Sequence, residues 1–156
     1  MDIRSMELGD RTGHEAGRQL LETMYREKTG QPMPPILVAE RGKPYFAAGD
    51  LHFSISHTKK RVFCALSDCP VGIDAEERDR KILLSLAEKI LSPEEQLRFQ
   101  TCSDRREALL RFWVLKEAAA KLTGEGLRGY PDHTDFDPGD PRVQILDGCF
   151  VAVITE

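Results

Sequence analysis

The sequence predicts an α+β fold on three observations. Short segments with a two-residue period cluster between positions 36 and 76, helical patterns follow to residue 122, and a hairpin signal closes the chain. Gly13 to Lys28 carries an apolar stripe of Leu20, Leu21, Met24 and Tyr25 and reads as a helix. Gly30-Gln31-Pro32-Met33-Pro34-Pro35 breaks it. Ile36 to Ala39 reads as a short strand followed by a turn at Arg41-Gly42-Lys43-Pro44. Leu51, Phe53 and Ile55 alternate with His52, Ser54 and Ser56, the period of a half-buried strand. After Lys59-Lys60-Arg61 comes a second strand, Val62 to Ser67, and after Asp68-Cys69-Pro70 a third, Val71 to Glu76, together an antiparallel meander.

The period then changes. Asp79 to Leu91 has Ile82, Leu83, Leu86, Ala87 and Ile90 on one face and reads as a helix. Ser92-Pro93-Glu94-Glu95 starts another, with a serine cap, proline at the first position and glutamate to close a capping box. Asp104 and Glu107 offer a second box, opening a long helix to Leu122 that Gly124 stops. Tyr130 to Pro141 reads as a loop, and Val143 to Leu146 and Cys149 to Thr155 as strands joined by Asp147-Gly148.

A chain of 156 residues suffices for one compact unit, with room for two small lobes sharing a core. A net charge of -4 counts against general nucleic-acid binding but leaves room for a local basic pocket. Cys64, Cys69, Cys102 and Cys149 form no C-x-x-C pair and meet no histidines at zinc-ligand spacing, so they read as reduced, packed thiols. Met1 to Asp10 is too polar for a signal peptide and no apolar run reaches bilayer length. The expectation is a cytoplasmic protein with neither a membrane nor a nucleic-acid partner.

Three places hold candidate chemistry. Asp74 and Glu76, two residues apart on a strand, project from one face, where a cation would relieve their repulsion; taken alone they read as surface carboxylates on a solvated strand end. The helix from Asp104 is apolar nearly all round, which marks it as buried. Glu117 and Lys121 fall on it four residues apart, either paired with each other or serving a metal and an anion respectively. His57 ends an alternating strand beside two hydroxyl residues; with Lys43 it offers donors to phosphate oxygens. Taken together, three hard oxygen donors suit magnesium, and Lys43, His57 and Lys121 suit a polyphosphate.

Gly72-Ile73-Asp74-Ala75-Glu76, followed about 40 residues on by Trp113-Val114-Leu115-Lys116-Glu117-Ala118-Ala119-Ala120-Lys121, closely resembles the paired signature of 4′-phosphopantetheinyl transferases. Gly42-Lys43-Pro44 and Ser54-Ile55-Ser56-His57-Thr58 resemble two further motifs of that family, in the same order, with Ser54 standing for the usual asparagine and Ala75 for a larger aliphatic residue. The resemblance runs from about Gly13 to Leu127 and is to the two-lobed, surfactin-synthetase-activator type, of which this chain is a short example. It implies two similar α/β lobes with antiparallel sheets, residues 1–70 and 71–156, related by a pseudo-twofold around a cofactor cleft.

The implied reaction is magnesium-dependent transfer of the 4′-phosphopantetheine of coenzyme A to a serine of an acyl or peptidyl carrier protein, with release of 3′,5′-ADP. By the resemblance, Asp74, Glu76 and Glu117 are the magnesium ligands. His57 and Lys121 contact the pyrophosphate, Ser56 belongs to the same cofactor-binding motif, Lys43 lies along the nucleotide and Arg18 holds the 3′-phosphate. Glu117 is the candidate base, Lys121 steadies the leaving phosphate, and His57 completes the catalytic set. An acidic carrier would need a positive patch, from Arg78, Arg80 and Lys81 or from Arg98, Arg105 and Arg106. A monomer suffices if the cleft is internal. The competing readings are a magnesium nuclease and a non-catalytic module that binds coenzyme A or a carrier.

Overall fold

A computed structural model describes residues 1–126 and 135–156. Two three-stranded antiparallel sheets, each covered by a long helix, build an α+β fold. The first comprises β1 (Asp2–Glu7), β5 (Arg61–Ser67) and β4 (His52–His57), in that order. Helix α1 (Gly13–Thr29) packs on it through Leu20, Leu21 and Met24. Thr12 and Glu15 close a capping box at its start, and Gly30, in the left-handed region, ends it. β2 (Ile36–Val38) and β3 (Pro44–Phe46) form a separate two-stranded hairpin turning through residues 39–43, so that Pro44, expected in the turn, opens β3.

The second sheet has the order β6 (Val71–Glu77), β8 (Cys149–Thr155), β7 (Val143–Leu146). Both halves therefore share one connectivity: a strand, a helical stretch, then a hairpin whose last strand lies beside the first. Asp147 and Gly148 both adopt positive φ, as a tight hairpin of this sequence requires. The helical stretch is a single 3₁₀ turn (Leu84–Leu86), α2 (Ala87–Ile90), α3 (Pro93–Gln100) and α4 (Arg105–Thr123). α4 is buried on most sides by Leu109, Leu110, Phe112, Val114, Leu115 and Ala118.

Several expectations are corrected. The polar segment Asp2–Glu7 is a strand, because β5 supplies a full antiparallel ladder that needs no apolar alternation of its own. β6 does not continue the meander: Asp68-Cys69-Pro70 carries the chain across to the second sheet, where β8 pairs with all seven of its residues. Residues 79–83 are not helical; no side chain caps a helix there, and Leu83 is 79% exposed, so the apolar period has no surface to pack on. Asp104 caps α4, but Glu107 turns to Arg111, leaving the second capping box half made. Of the expected loop, residues 135–141 are irregular and 130–134 lie outside the described residues.

Candidate active site

The site begins with a missing side chain. A Cβ at Gly72 would stand 2.0 Å from the Ala118 carbonyl oxygen and 2.6 Å from the Leu122 nitrogen, so glycine alone lets α4 lie against β6. That contact sets the acidic strand motif across from the helix motif. Lys121 Nζ lies 2.8 Å from Asp74 Oδ1 and also reaches the Ile55 carbonyl at 3.4 Å. Ser56 Oγ donates to the same Asp74 oxygen at 2.9 Å. Asp74 is buried, and desolvation raises its pKa despite the opposing pull of Lys121 and Ser56.

β4 is covered on both faces rather than the expected one, with Phe53 in the core under α1. Ser54 and Ser56 are buried against β6, while Ile55 is only partly covered. Their hydroxyls accept from the Ile73 and Ala75 nitrogens at 3.1 and 3.2 Å. Ser56 is thus enclosed beside Asp74.

Glu117 is half-buried, and burial followed by the Asp74 charge raises its pKa. Glu76 is raised chiefly by burial, against Arg80, which forms an ion pair with it. The Arg80 guanidinium sits 5.6 Å from the centre of the Trp113 ring. Arg80, read from sequence as part of a docking patch, therefore turns toward the acidic cluster. Nothing local in the sequence signals this, because residues 77–80 form a turn whose direction depends on α4. Three other members of the suggested patches are also engaged internally: Arg78 lies over Phe150, Arg98 donates to the Phe136 carbonyl and Arg106 donates to the Arg78 carbonyl.

Two clefts open at the site, one lined by Lys121 and the other by Glu76. The first, of about 270 Å³, is lined by Arg41, Lys43, Ile55, Glu117 and Lys121. Lys43 donates to the Leu122 carbonyl there, and burial lowers its pKa. The other, of about 890 Å³, is lined by Arg11, His57, Lys59, Glu76, Arg80 and Lys81. His57 is exposed at its edge, its ring packed so closely on Gly13 that a Cβ there would stand 2.4 Å away. Arg18 is exposed on α1 and makes no hydrogen bond or ion pair with the other candidates. The structure thus brings Asp74, Ser56 and Lys121 into direct contact, sets Glu117 beside them, and divides Lys43 from His57 between the two clefts.

Among the described residues, no three His, Cys, Asp or Glu side chains are gathered as a formed metal site. The expected ligands Asp74 and Glu76 are instead each held by a cation, Lys121 and Arg80 respectively. The donor set still fits a hard divalent ion. Its members are all carboxylates, and the Asp74 charge disfavours ionisation of both Glu76 and Glu117, a repulsion that a shared cation would relieve.

Lys116, one residue before Glu117, points the other way. Its ammonium lies 2.7 Å from Glu95, and both side chains are essentially inaccessible. Glu95 also accepts from the Ser92 and Phe136 nitrogens, so it ties α3 to α4 and to the segment before β7. The helix periodicity that puts Glu117 at the site puts Lys116 about 100° away.

Comparison with known proteins gives a consistent result. The family model described as the 4′-phosphopantetheinyl transferase superfamily matches residues 70–147. A 4′-phosphopantetheinyl transferase of Bacillus subtilis is 32% identical over 123 residues, 73% of this chain and 54% of its own length. The 4′-phosphopantetheinyl transferase psf-1 of Bacillus pumilus is 36% identical over 116 residues, 71% of this chain and 49% of its own. The 4′-phosphopantetheinyl transferase gsp of Aneurinibacillus migulanus is 37% identical over 90 residues, 56% of this chain and 37% of its own. The matches therefore span about half of these relatives or less. With half of its length under the family model, and with the strand and helix signatures in contact through Asp74 and Lys121, the chain belongs to the 4′-phosphopantetheinyl transferase superfamily.

Proposed function

We propose that this protein transfers the 4′-phosphopantetheine group of coenzyme A to a serine of an acyl or peptidyl carrier protein and releases 3′,5′-ADP. The observation that carries the reading is the Asp74–Lys121 contact, which joins the two signatures between a cleft lined by Lys43 and one lined by His57. Residues 1–70 and 71–156 would form the two sides of the cofactor site. Lys43 and Lys121 would meet the nucleotide and its phosphates in the smaller cleft, and His57 the phosphates in the larger. Arg18, exposed and unpaired, is available for the 3′-phosphate.

Asp74, Glu76 and Glu117 would hold a magnesium ion, which supplies charge neutralisation on the pyrophosphate oxygens. The carrier serine oxygen forms a bond to the β-phosphorus, and the bond from that phosphorus to the bridging oxygen breaks. 3′,5′-ADP leaves with the electron pair. Glu117, whose raised pKa favours accepting a proton, takes the serine proton directly or through a water. Lys121 opposes the negative charge growing on the leaving phosphate.

Lys81 and Lys89, with the exposed Leu83, border the larger cleft or adjoin it, a surface suited to an acidic helix of a carrier. No helix among the described residues is long and apolar enough to cross a membrane. A cytoplasmic monomer fits the reading.

A second reading, a module that binds coenzyme A without transfer, is favoured by Lys121 and Arg80 already occupying Asp74 and Glu76. Intact mass of an apo carrier protein incubated with the chain, coenzyme A and magnesium separates the two. Transfer predicts a gain of one phosphopantetheine per carrier, abolished by chelator. Coenzyme A binding without any gain across several carriers supports the second reading.

A further inference from the structure

β6 is the edge strand of its sheet: β8 pairs along one side, and the Ile73 and Ala75 N–H groups face β4 on the other. No main-chain ladder joins β4 to β6. Two serines, side by side on one face of β4, do so instead, each accepting one of those N–H groups. As main-chain partners Ser54 and Ser56 are equivalent. They differ in two respects: Ser54 lines the smaller cleft, and Ser56 passes its own proton to Asp74 Oδ1, the oxygen that Lys121 also holds.

A serine hydroxyl has one proton to donate. With that proton given to Asp74 and with Ser56 only 5% exposed, the side chain has no donor left for a coenzyme A phosphate. We infer that Ser56 is a positioning residue for Asp74: it fixes the orientation of the carboxylate and thereby the affinity of the site for a divalent cation. The inference rests on the proposed reading of Asp74 as a metal ligand. Hydrogen bonds to a ligating carboxylate govern its orientation, and their loss typically weakens metal binding 10- to 100-fold.

Ser54 supplies the internal control, since it makes the same main-chain bond without touching Asp74. The probe is Mn²⁺, followed by electron paramagnetic resonance of the free ion titrated with the whole chain, with and without coenzyme A. Coenzyme A binding without metal and thermal unfolding are measured alongside. Ser56→Ala is expected to weaken Mn²⁺ binding about tenfold and to leave metal-free coenzyme A binding unchanged. Ser54→Ala is expected to lower the melting temperature similarly yet hold Mn²⁺ within about twofold of wild type, because it leaves the ligand's own hydrogen bond intact. Should Ser56→Ala not fold, Ser56→Cys retains nearly the same shape with a weaker donor and should shift Mn²⁺ binding in the same direction.

Equal weakening in the Ser54 and Ser56 variants would reduce both serines to a structural seam and overturn the inference. A loss of metal-free coenzyme A binding in Ser56→Ala would assign the hydroxyl to the cofactor instead. Asp74→Asn separates the layers. If it binds Mn²⁺ as wild type does, the metal reading itself is overturned. If it is weakened while Ser56→Ala is not, the positioning role alone is lost.

Discussion

Gly72→Ala is expected to destabilise the fold by about 3 kcal/mol, the upper end of ordinary overpacking, and to lower the melting temperature by about 10 °C. The added methyl would meet the Ala118 carbonyl oxygen and the Leu122 nitrogen, both main-chain atoms of α4. Such neighbours cannot rotate away, so the helix must move. Gly17→Ala is the comparison. Its methyl would meet the Ile55 Cγ2 at 2.9 Å, a methyl of a side chain rather than the main chain of a packed helix. Its expected cost is therefore about 1 kcal/mol, the lower end of overpacking. Thermal unfolding of the two variants checks the order, and equal losses would refute the argument from main-chain contact. A functional consequence follows in Gly72→Ala alone. Displacing α4 separates Lys121 from Asp74, so phosphopantetheine transfer should fall further than the loss of folded protein explains.

That glycine also shows how far the sequence could be read. Gly72-Ile73-Asp74 and Glu117 with Lys121 are legible as one site because each motif's internal spacing fixes its geometry, on a strand and on a helix respectively. Ser92-Pro93-Glu95 and Asp147-Gly148 are legible for the same reason, as signals complete within a few residues. What lies beyond local spacing is a different matter. β1 owes its strand form to a partner some 60 residues away, and β6 pairs with a strand some 80 residues away rather than with its sequence neighbour. Consecutive strands usually pair, so a short turn such as Asp68-Cys69-Pro70 reads as a hairpin whichever sheet receives it. The burial of Ser54 and Ser56 gives β4 a second covered face where alternation suggests one. Their hydroxyls stand in for main-chain partners, a role that only the second sheet reveals. Arg80 folding onto Glu76 and the pairing of Lys116 with Glu95 are likewise products of packing between distant segments.

Lys116 and Glu117 are adjacent in the signature, yet their replacements should fail in opposite ways. Lys116→Met removes the counter-charge from a Glu95 carboxylate that is 0% exposed, and breaking one side of a buried pair costs about 3–5 kcal/mol. The melting temperature should drop by about 10 °C or more, while the protein that remains folded keeps its transfer activity. Adding Glu95→Gln should recover part of the loss: the amide carries no charge, and its oxygen can still accept a main-chain N–H of the kind that Ser92 and Phe136 now donate. Glu117→Ala should do the reverse. Its carboxylate is half-buried and already disfavoured by burial and by Asp74, so removing it should change stability little. Transfer to an apo carrier, read by intact mass, should fall about 10²- to 10⁴-fold, the usual worth of a general base. If Lys116→Met instead melted normally and lost transfer, Lys116 would have to face the substrate, and the buried pair with Glu95 could not be what holds α3 to α4. If Glu117→Ala kept its activity, the serine proton would have to leave by another group, and the reading of α4 as the catalytic helix would rest on Lys121 alone.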